Sequence, residues 1–543
     1  MSASSKKKLR KEQDAVKLTE KQLTAQKEAK KVRLYTTIFV AVLAVLLVVA
    51  IWVGVNQTLT SHGVREKNTV AMTVDGHKIS NAELNYFYMD AVNNFYSKYG
   101  SYAAMMGLDV TAPLNEQVVD PETGKTWADD FLESAKDNAK AVYALSDAAK
   151  AAGFTLSEDD QATLDSQLSM MNLYATMYGY SDGSAYLKAM YGNGATTESY
   201  KAYTELTALA SAYQSHYTES LAYTDADREE KYAENPSTYS SFTYNSYYLA
   251  ASRFQEGGTT GEDGTTTYSD EEKAAAVAAA EEAAKALTGD DITSVDALNA
   301  AVAALPINKD TSASSSVYTD TRYNSVAAAY RDWVADSSRK AGDKTYIAST
   351  STDADGNETT AGYHVIYFVG SSDNTFALKN VRHILVSFQG GTTDEATGQT
   401  TYSDEEKATA KASAEEILKE WKSGAATEDS FAALAKEKST DPGSVENGGL
   451  YEKVYPGQMV AAFNDWCFDA ARKPGDTGIV ETSYGYHVMY FSGDADQNYR
   501  DYLIESDLRS GDTEEWYNGL VDAATMTEGD TRYVRTDLIL NRR

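Results

Sequence analysis

Long stretches of this chain occur twice, and this internal repeat constrains the fold more than any other feature. The nonapeptide TTYSDEEKA stands at 266–274 and again, unchanged, at 400–408. Further on, VAAAYRDWVADSSRKAGD at 326–343 matches MVAAFNDWCFDAARKPGD at 459–476, and each copy closes on a strand that contains GYHV. The order of the repeated segments and their approximate spacing agree between the two copies, so we infer a tandem duplication of a domain of roughly 110 to 130 residues.

Each copy is predicted to be an α+β domain, the first at 238–371 and the second at 372–493. Its pattern runs strand, helix, helix, short helix, strand, strand, which indicates a small antiparallel sheet with surrounding helices. The Gly/Thr-rich segments QEGGTTGEDGTTT and QGGTTDEATGQT follow the first strand of each copy. They are predicted to be flexible surface loops.

An uncharged stretch of twenty residues, Thr36 to Val55, is long enough to cross a bilayer as a helix. Residues 1–33 carry eleven Lys or Arg and four Asp or Glu, a net charge of +7, which leaves −38 for the rest of a chain whose total is −31. The positive-inside rule places the basic segment 1–33 in the cytoplasm, a single-pass anchor at 34–56 and the acidic remainder outside the membrane. Cleavage after the span stays open.

Residues 57–237 have a helical pattern rich in Ala, Leu, Met and Tyr. The pattern opens with a predicted strand at Val70–Val74 and a helix that Ser80 caps. Gly153 and Gly179 are predicted helix ends. We expect the polar C-terminal segment 494–543, which contains one amphipathic helix, to return and complete this domain.

The end of the helical region is dense in Met and Tyr. Core packing is the favoured interpretation, although flexible thioethers and amphipathic rings also suit an adaptable surface that binds peptides with low specificity. The residues concerned are Met170, Met171, Tyr174, Met177, Tyr178, Tyr180, Met190 and Tyr191.

The acidic body argues against nucleic acid as a partner, because phosphate binding needs clustered cations. The lone cysteine, Cys467, lies in an amphipathic helical pattern and is predicted to be a buried small hydrophobic residue. The six histidines are too scattered for a metal site by spacing. Since the chain also has no glycine loop that would cradle phosphate, we predict no metal and no cofactor.

The second copy combines two histidines, a carboxylate and an apolar patch. VRHILVSF places His383 between apolar neighbours, and YGYHVMYF does the same for His487. If these strands are antiparallel neighbours, both imidazoles lie on one sheet surface. The segments between them supply Asp441, Leu450, Met459 and Phe463.

These motifs, in this order, resemble a complete parvulin-type peptidyl-prolyl isomerase domain from about Leu378 to Ser492. With the anchor and the motif VDGHKISNAELN before it, the whole chain resembles the extracytoplasmic PrsA-like foldases, and in layout the SurA-like periplasmic chaperones. The resemblance implies a cell-membrane protein of Gram-positive type. It also implies partners that are unfolded or newly exported proteins with proline-containing segments; the choice between monomer and homodimer stays open.

The resemblance assigns roles residue by residue. His383 and His487 match the paired histidines of the parvulin site, Asp441 stands where members carry Cys or Asp, and Thr482 matches a hydroxyl that hydrogen-bonds the histidine pair. The residues that match the prolyl pocket are Leu450, Met459 and Phe463. Two positions depart from the family: GGLYEKV lacks the Asp that many members have before the leucine, and Tyr484 stands where some have Ser. Both departures bear on substrate preference more than on activity.

The first copy keeps the closing histidine, His364, but its other site positions differ. Tyr247 is predicted at the position of His383, and Val326 and Tyr330 replace the Met and Phe of the pocket. This copy is therefore expected to be a catalytically silent module. Two other readings of the chain stay open: a membrane-tethered holdase without significant isomerase activity, and a cell-envelope scaffold.

Overall fold

The computed structural model describes residues 3–7, 20–100, 102–262, 264–309, 311–352, 358–394 and 397–539. Much of the basic segment 1–33 lies outside these residues. The chain divides into two compact units: unit 1 contains Met1–Leu221 and Gly511–Arg543, and unit 2 contains Ala222–Ser510. The strands, in chain order, are β1 Val70–Val74, β2 His77–Ser80, β3 Val118–Asp120, β4 Lys125–Thr126, β5 Ser241–Ala250, β6 Thr259–Thr260, β7 Thr266–Thr267, β8 Ser316–Arg322, β9 Lys344–Thr352, β10 Glu358–Ser372, β11 Ala377–Ser387, β12 Thr392–Thr393, β13 Thr400–Thr401, β14 Leu450–Val454, β15 Thr477–Glu481, β16 Gly485–Asn498 and β17 Met526–Glu528.

Unit 1 is mainly helical, as its sequence pattern predicts. Its helices are Glu20–Ser61, Val64–Asn68, Asn81–Tyr99, Trp127–Ala151, Glu158–Met177, Gly183–Tyr191 and Thr197–Ser220. The first of these contains Lys27–Ser61, a 35-residue segment long and apolar enough to cross a membrane. Ser80 accepts a hydrogen bond from the backbone N–H of Glu83 and so caps the helix that follows it. Gly153 and Gly179 adopt positive φ just after helix ends, which glycine does at little cost.

The end of the chain completes unit 1 from Gly511 onward, rather than from residue 494. Strand β17 pairs antiparallel with β1, and β1 pairs with β2, so that residues more than four hundred positions apart share one sheet. Val534 and Leu538 are buried in the same core as Leu84 and Phe131. This burial of apolar side chains secures the C-terminal segment.

The Met/Tyr region of unit 1 is mostly exposed, so the prediction that it packs in the core is wrong for most of its members. Met177 and Tyr178 are 63% and 65% exposed, whereas Met171 is 6% exposed. The region spans the end of helix Glu158–Met177 and the turn before Gly183–Tyr191, where only one side of the chain faces the core. The exposed members are Met170, Tyr174, Met177, Tyr178 and Tyr180.

Unit 2 contains two four-stranded antiparallel sheets with the same topology. Their strand orders are β8-β5-β10-β9 and β14-β11-β16-β15. The sequence pattern missed one edge strand in each sheet, β8 and β14, because β8 is largely polar and β14 has only five residues. The helices of unit 2 are Asp225–Glu234, Asp270–Ala286, Val295–Ala304, Arg331–Ala335, Asp404–Ser423, Glu428–Lys438 and Ala461–Cys467, and helix Tyr499–Ala523 begins here and ends in unit 1.

The Gly/Thr-rich insertions of both copies form short β-hairpins rather than irregular loops. Strand β6 pairs with β7, and β12 pairs with β13. In each hairpin a glutamate from the next helix accepts a hydrogen bond from a glycine N–H, at 2.9 Å for Glu272 and Gly258 and at 2.8 Å for Glu406 and Gly391. The helix N-terminus thereby fixes one end of each hairpin.

The closing histidines allow the registers of the two sheets to be compared. In the second sheet, His487 of β16 pairs with Leu385 of β11, two residues after His383. Side chains along a strand alternate between the two faces, so His383 and His487 lie on the same face. The predicted pairing of their strands is confirmed.

In the first sheet, His364 of β10 pairs with Tyr248 of β5, so Ser246 takes the position of His383. The predicted counterpart, Tyr247, is one residue further on and lies on the opposite face, within the cluster that packs against the helices. The prediction is wrong by one residue, and a one-residue shift in a strand reverses the face on which a side chain lies.

Candidate active site

The second sheet places its histidine pair in a buried position. The imidazoles of His383 and His487 are 2% and 5% exposed, and their Nδ1 atoms are 2.9 Å apart. The rings are nearly coplanar and meet edge to edge, with centroids 5.1 Å apart and an interplanar angle of 24°. Because both side chains come from adjacent strands of one rigid sheet, their geometry depends on backbone pairing and not on a mobile loop.

The loop after helix Glu428–Lys438 brings a carboxylate to His383. Several hydrogen bonds attach this loop to β11; among them, Thr440 N–H donates to the Leu385 carbonyl at 2.9 Å, and Leu385 N–H donates to Ser439 Oγ at 3.1 Å. Asp441 Oδ2 then lies 2.9 Å from His383 Nε2. The segment STDPGS therefore places the Asp441 carboxylate beside the histidine pair, as predicted.

The hydrogen bonds form one chain with a single direction of donation. The Asp441 carboxylate only accepts, so His383 donates from Nε2 and accepts at Nδ1. His487 then donates from Nδ1, and its Nε2 accepts from the Thr482 hydroxyl at 2.9 Å. This assignment of the tautomers follows from the network. It requires neutral imidazoles and an ionised acid.

The pKa shifts in the site agree with this charge pattern. The hydrogen bond from His383 holds the pKa of Asp441 well below its usual range, although burial opposes it. Burial, reinforced by the neighbouring His383, lowers the pKa of His487 to about 4. At neutral pH the site therefore carries a carboxylate at one end and an uncharged imidazole in the middle.

An apolar surface adjoins the two imidazoles. Phe463, on helix Ala461–Cys467, presents its ring edge-on to both histidines, at centroid distances of 5.4 Å. Phe463 is buried, and Met459 packs against the same cluster. Two of the three predicted pocket residues therefore lie beside the histidine pair.

The third predicted pocket residue, Leu450, lies on the wrong face of the sheet. It pairs with Arg382, which is adjacent to His383 in β11 and so points to the opposite side. Tyr451 pairs with Val381 instead and packs in the cluster beside the site. The prediction for Leu450 is wrong for the same reason as that for Tyr247, a shift of one residue along a strand.

The two residues predicted near the start of β16 differ in their contacts. The Thr482 hydroxyl bonds His487, as described above. Tyr484 donates its backbone N–H to Thr482 Oγ1 at 3.1 Å, but its side chain is 63% exposed. Its backbone thus supports the hydrogen-bonded chain, while its ring faces solvent.

Sequence reasoning missed two members of the site, Ser444 and Tyr451. Ser444 Oγ donates to Asp441 Oδ2 at 2.5 Å and lies 3.0 Å from His383 Nε2, from which it accepts. The Tyr451 hydroxyl donates to the same Asp441 oxygen at 3.0 Å. Both stand in motifs used for the prediction, STDPGS and GGLYEKV. The i+3 spacing of Ser444 after Asp441 is a local signal that could have revealed it.

Cys467 plays no part in this chemistry. Its thiol is fully buried, and burial raises its pKa to about 12. A thiol in this state is a poor nucleophile, which confirms the structural role that the sequence predicts.

Comparison with known families places the site in a defined domain class. Residues 363–494 match the profile described as PPIC-type PPIASE domain, where PPIase denotes peptidyl-prolyl isomerase. These residues form a PPIC-type PPIase domain. The match begins within β10 of the first sheet and includes the whole second sheet with its histidine pair.

The relatives of this chain include proteins named as a foldase and as a chaperone. The chain is 39% identical over 109 residues to "Foldase protein PrsA 1" of Listeria innocua, which covers 20% of this chain and 28% of that protein. It is 30% identical over 139 residues to "Chaperone SurA" of Chromohalobacter salexigens. This match covers 24% of this chain and 27% of that protein. The chain thus spans less than a third of the length of these relatives, so the activity and partners of the whole protein are proposals.

A solved structure titled as peptidylprolyl isomerase (PrsA) from Bacillus anthracis overlaps 28% of this chain and 59% of its own, at 24% identity and a TM-score of 0.17. This overlap is too small to support an argument. The assignment of the domain rests on the match of residues 363–494 to the PPIase profile.

Proposed function

We propose that the chain is an extracytoplasmic folding factor that catalyses cis–trans isomerisation of X-Pro bonds in exported proteins. The observation that carries the proposal is the buried chain from Thr482 through His487 and His383 to Asp441, next to the apolar ring of Phe463, inside a PPIase domain. We assign this domain to residues 372–493.

Such a site suits a reaction without covalent chemistry. Rotation about the peptide bond costs about 18 to 20 kcal/mol because planarity preserves resonance, and X-Pro isomerisation is slow enough to limit folding. A site lowers this barrier if it binds the twisted amide better than either planar form. Phe463 and Met459 would hold the prolyl ring away from water that stabilises the polar planar amide. The histidine chain would set the shape and polarity of the wall beside it.

The test is the rate of cis–trans isomerisation of a proline-containing peptide, measured with the full chain in detergent micelles. His487→Ala should abolish most of the acceleration. His364→Ala, the same substitution at the same register position of the first sheet, is the matched control and should leave the rate unchanged. If the wild-type chain does not accelerate isomerisation with several different residues before the proline, the tethered holdase is the better account.

We also propose that the first copy, residues 238–371, is a parvulin-like domain without isomerase activity. Its sheet has the strand order of the PPIase domain, and Tyr330 takes the place of Phe463, 5.3 Å from the His364 ring. Arg339 covers Trp333 at 4.4 Å as Arg472 covers Trp466 at 4.1 Å. With Ser246 at the position of His383, however, this copy has only one of the two site histidines.

Unit 1 supplies a surface for unfolded clients. The exposed Met and Tyr side chains adjoin a surface cavity of about 260 Å³ lined by Met170, Met171, Tyr174, Tyr186, Leu187 and Tyr191, among others. Thioethers and tyrosine rings adapt to varied apolar segments, and an exposed apolar cluster in a soluble region indicates an interaction site. This surface would retain clients near the membrane while the PPIase domain acts on them.

The membrane anchor determines where the protein works. The uncharged stretch Thr36–Val55 of helix Lys27–Ser61 follows residues 1–33, which have a net charge of +7, so we place the N-terminus in the cytoplasm and the chain after residue 56 outside the cell membrane. Protease added to intact cells should then degrade the body of the chain. Full protection of the body would contradict this orientation.

A further inference from the structure

Edge strand β14 brings Tyr451 to the face of the sheet that carries the histidine pair. Tyr451 pairs with Val381, and its ring lies 5.2 Å from the His383 imidazole, centroid to centroid, at an interplanar angle of 28°. The ring also packs in the buried cluster that contains Phe463. One wall of the site is therefore an aromatic ring with a hydroxyl at its tip.

The Tyr451 hydroxyl is one of three donors to a single carboxylate oxygen. Asp441 Oδ2 accepts from Tyr451 at 3.0 Å, from His383 Nε2 at 2.9 Å and from Ser444 Oγ at 2.5 Å. Hydrogen bonds to the charged form stabilise it, and all three donors lower the pKa of Asp441, His383 most strongly. Burial and the adjacent carboxylate raise the pKa of Tyr451, so its hydroxyl keeps the proton that it donates.

We propose that Tyr451 is a positioning residue of the isomerase site: its hydroxyl holds Asp441 in line with His383 Nε2, and its ring forms a wall of the prolyl pocket. The proposal rests on the isomerase function proposed above. With the hydroxyl in place, His383 keeps its proton at Nε2. The hydrogen-bonded chain to His487 then keeps one direction of donation.

The first sheet contains a matched control for this residue. Tyr318 of β8 pairs with Tyr244, which takes the place of Val381, so Tyr318 occupies the position of Tyr451 on the equivalent edge strand. Its ring stacks on Tyr244 at 4.7 Å and 9°. A tyrosine therefore recurs at this position in both copies, and in the PPIase domain its hydroxyl donates a hydrogen bond to Asp441.

The experiment compares Tyr451→Phe, Tyr451→Leu and Tyr318→Phe in the full chain in detergent micelles, with a proline-containing peptide as substrate from pH 4 to pH 8. Removal of the hydroxyl alone should lower kcat about three- to tenfold with KM within about twofold. Removal of the ring as well should also raise KM. Tyr318→Phe should match the wild type, and a Tyr451→Phe profile identical to the wild type would overturn the proposal.

A second readout separates this proposal from the isomerase function. In protein labelled with ¹⁵N at histidine, and assigned with His383→Gln, the two ring nitrogens of His383 report which one carries the proton. At neutral pH, a larger fraction of His383 should carry its proton at Nδ1 in Tyr451→Phe than in the wild type. If the wild-type chain proves inactive, the proposed function fails, but this shift still supports the positioning role, and its absence contradicts it.

Discussion

His383 and His487 share a hydrogen bond between their Nδ1 atoms, although the sheet register does not pair them directly. Leu385, two residues further along β11, is the register partner of His487. The two imidazoles therefore lie diagonally across one sheet face and meet edge to edge. Since a bond between two Nδ1 atoms needs one donor and one acceptor, each ring has a fixed tautomer, determined by Asp441 at one end and Thr482 at the other.

Acidification should destabilise the PPIase domain between about pH 6.5 and pH 4. Burial lowers the pKa of His487 to about 4, whereas in the unfolded chain the pKa is near its ordinary value. The unfolded chain thus binds a proton that the native chain does not, and stability falls by up to about 1.4 kcal/mol per pH unit as the pH drops through this window. Hydrogen exchange of peptides from β16 measures this locally. His487→Gln should reduce the slope, and an unchanged slope would contradict the assignment.

Gly449 should be intolerant of any side chain. Its φ is +74°, and an added Cβ would lie 2.1 Å from the carbonyl oxygen of His383, next to the bond from His383 N–H to the Gly449 carbonyl. Gly457 is the control, because its φ is +83° but an added Cβ would meet no atom within 4 Å. Both alanine variants incur about 1–2 kcal/mol of backbone strain. Only Gly449→Ala should also displace β11 and lose isomerase activity, which thermal melts and peptide assays will compare.

Removal of the Asp441 carboxylate should reduce both stability and activity. Asp441→Ala leaves His383, Ser444 and Tyr451 as donors without their common acceptor, at a cost of about 1–3 kcal/mol for the first group left unpaired. Asp441→Asn keeps the shape and removes the charge, so it should fold better and still lose most activity. Asp469→Ala, which removes an exposed carboxylate paired with Arg472, should change stability by less than about 1 kcal/mol. Full activity in Asp441→Asn would contradict the role of the anion.

The lowered pKa of Asp441 gives a separate signature at more acidic pH. Its folded pKa lies below the ordinary value, so the stability that it contributes is fully present above about pH 4 and is lost as the pH falls through the folded pKa. Wild-type protein should therefore lose stability further below pH 4, after the His487 effect is complete. Asp441→Asn should lack this second loss when unfolding is followed by circular dichroism, and an identical acid limb would contradict the assignment.

The repeat and the order of the motifs predicted the architecture because both reflect features that extend over many residues. Two copies, each with a closing GYHV strand, implied two equivalent sheets, and apolar strands with polar flanks identified β11 and β16. The prediction that His383, Asp441 and His487 lie close together was correct, since adjacent strands and one anchored loop leave these residues few alternative positions. These predictions depend on which segments meet, and sequence patterns report that well.

The errors concern single-residue register and the environment of side chains. Leu450 and Tyr451 are neighbours in a short strand whose own pattern does not show which face is buried, and Tyr247 beside Ser246 presents the same problem. Comparison of the two copies could have resolved the first case, because SVYTDTR and LYEKV both have an aromatic residue after an aliphatic one. Exposure of Met177 was not visible in the sequence, because an apolar side chain at a helix end has no periodic signal.

Client binding by unit 1 should be separable from isomerase activity. Met177→Ser with Tyr178→Ser removes the two most exposed members of the Met/Tyr cluster, so it should weaken suppression of aggregation of an unfolded test protein several-fold, through loss of apolar contact area. Met105→Ser, at a methionine of the same unit that is 84% exposed but lies outside the cluster, should have little effect. Peptide isomerisation should be unchanged in both variants, because the PPIase site lies in unit 2.

Conversely, His487→Ala should abolish isomerisation and leave aggregation suppression intact. If the unit 1 variant instead binds clients like the wild type, the cluster is not the client surface, and a chain that suppresses aggregation only through unit 2 would assign both roles to the tandem sheets.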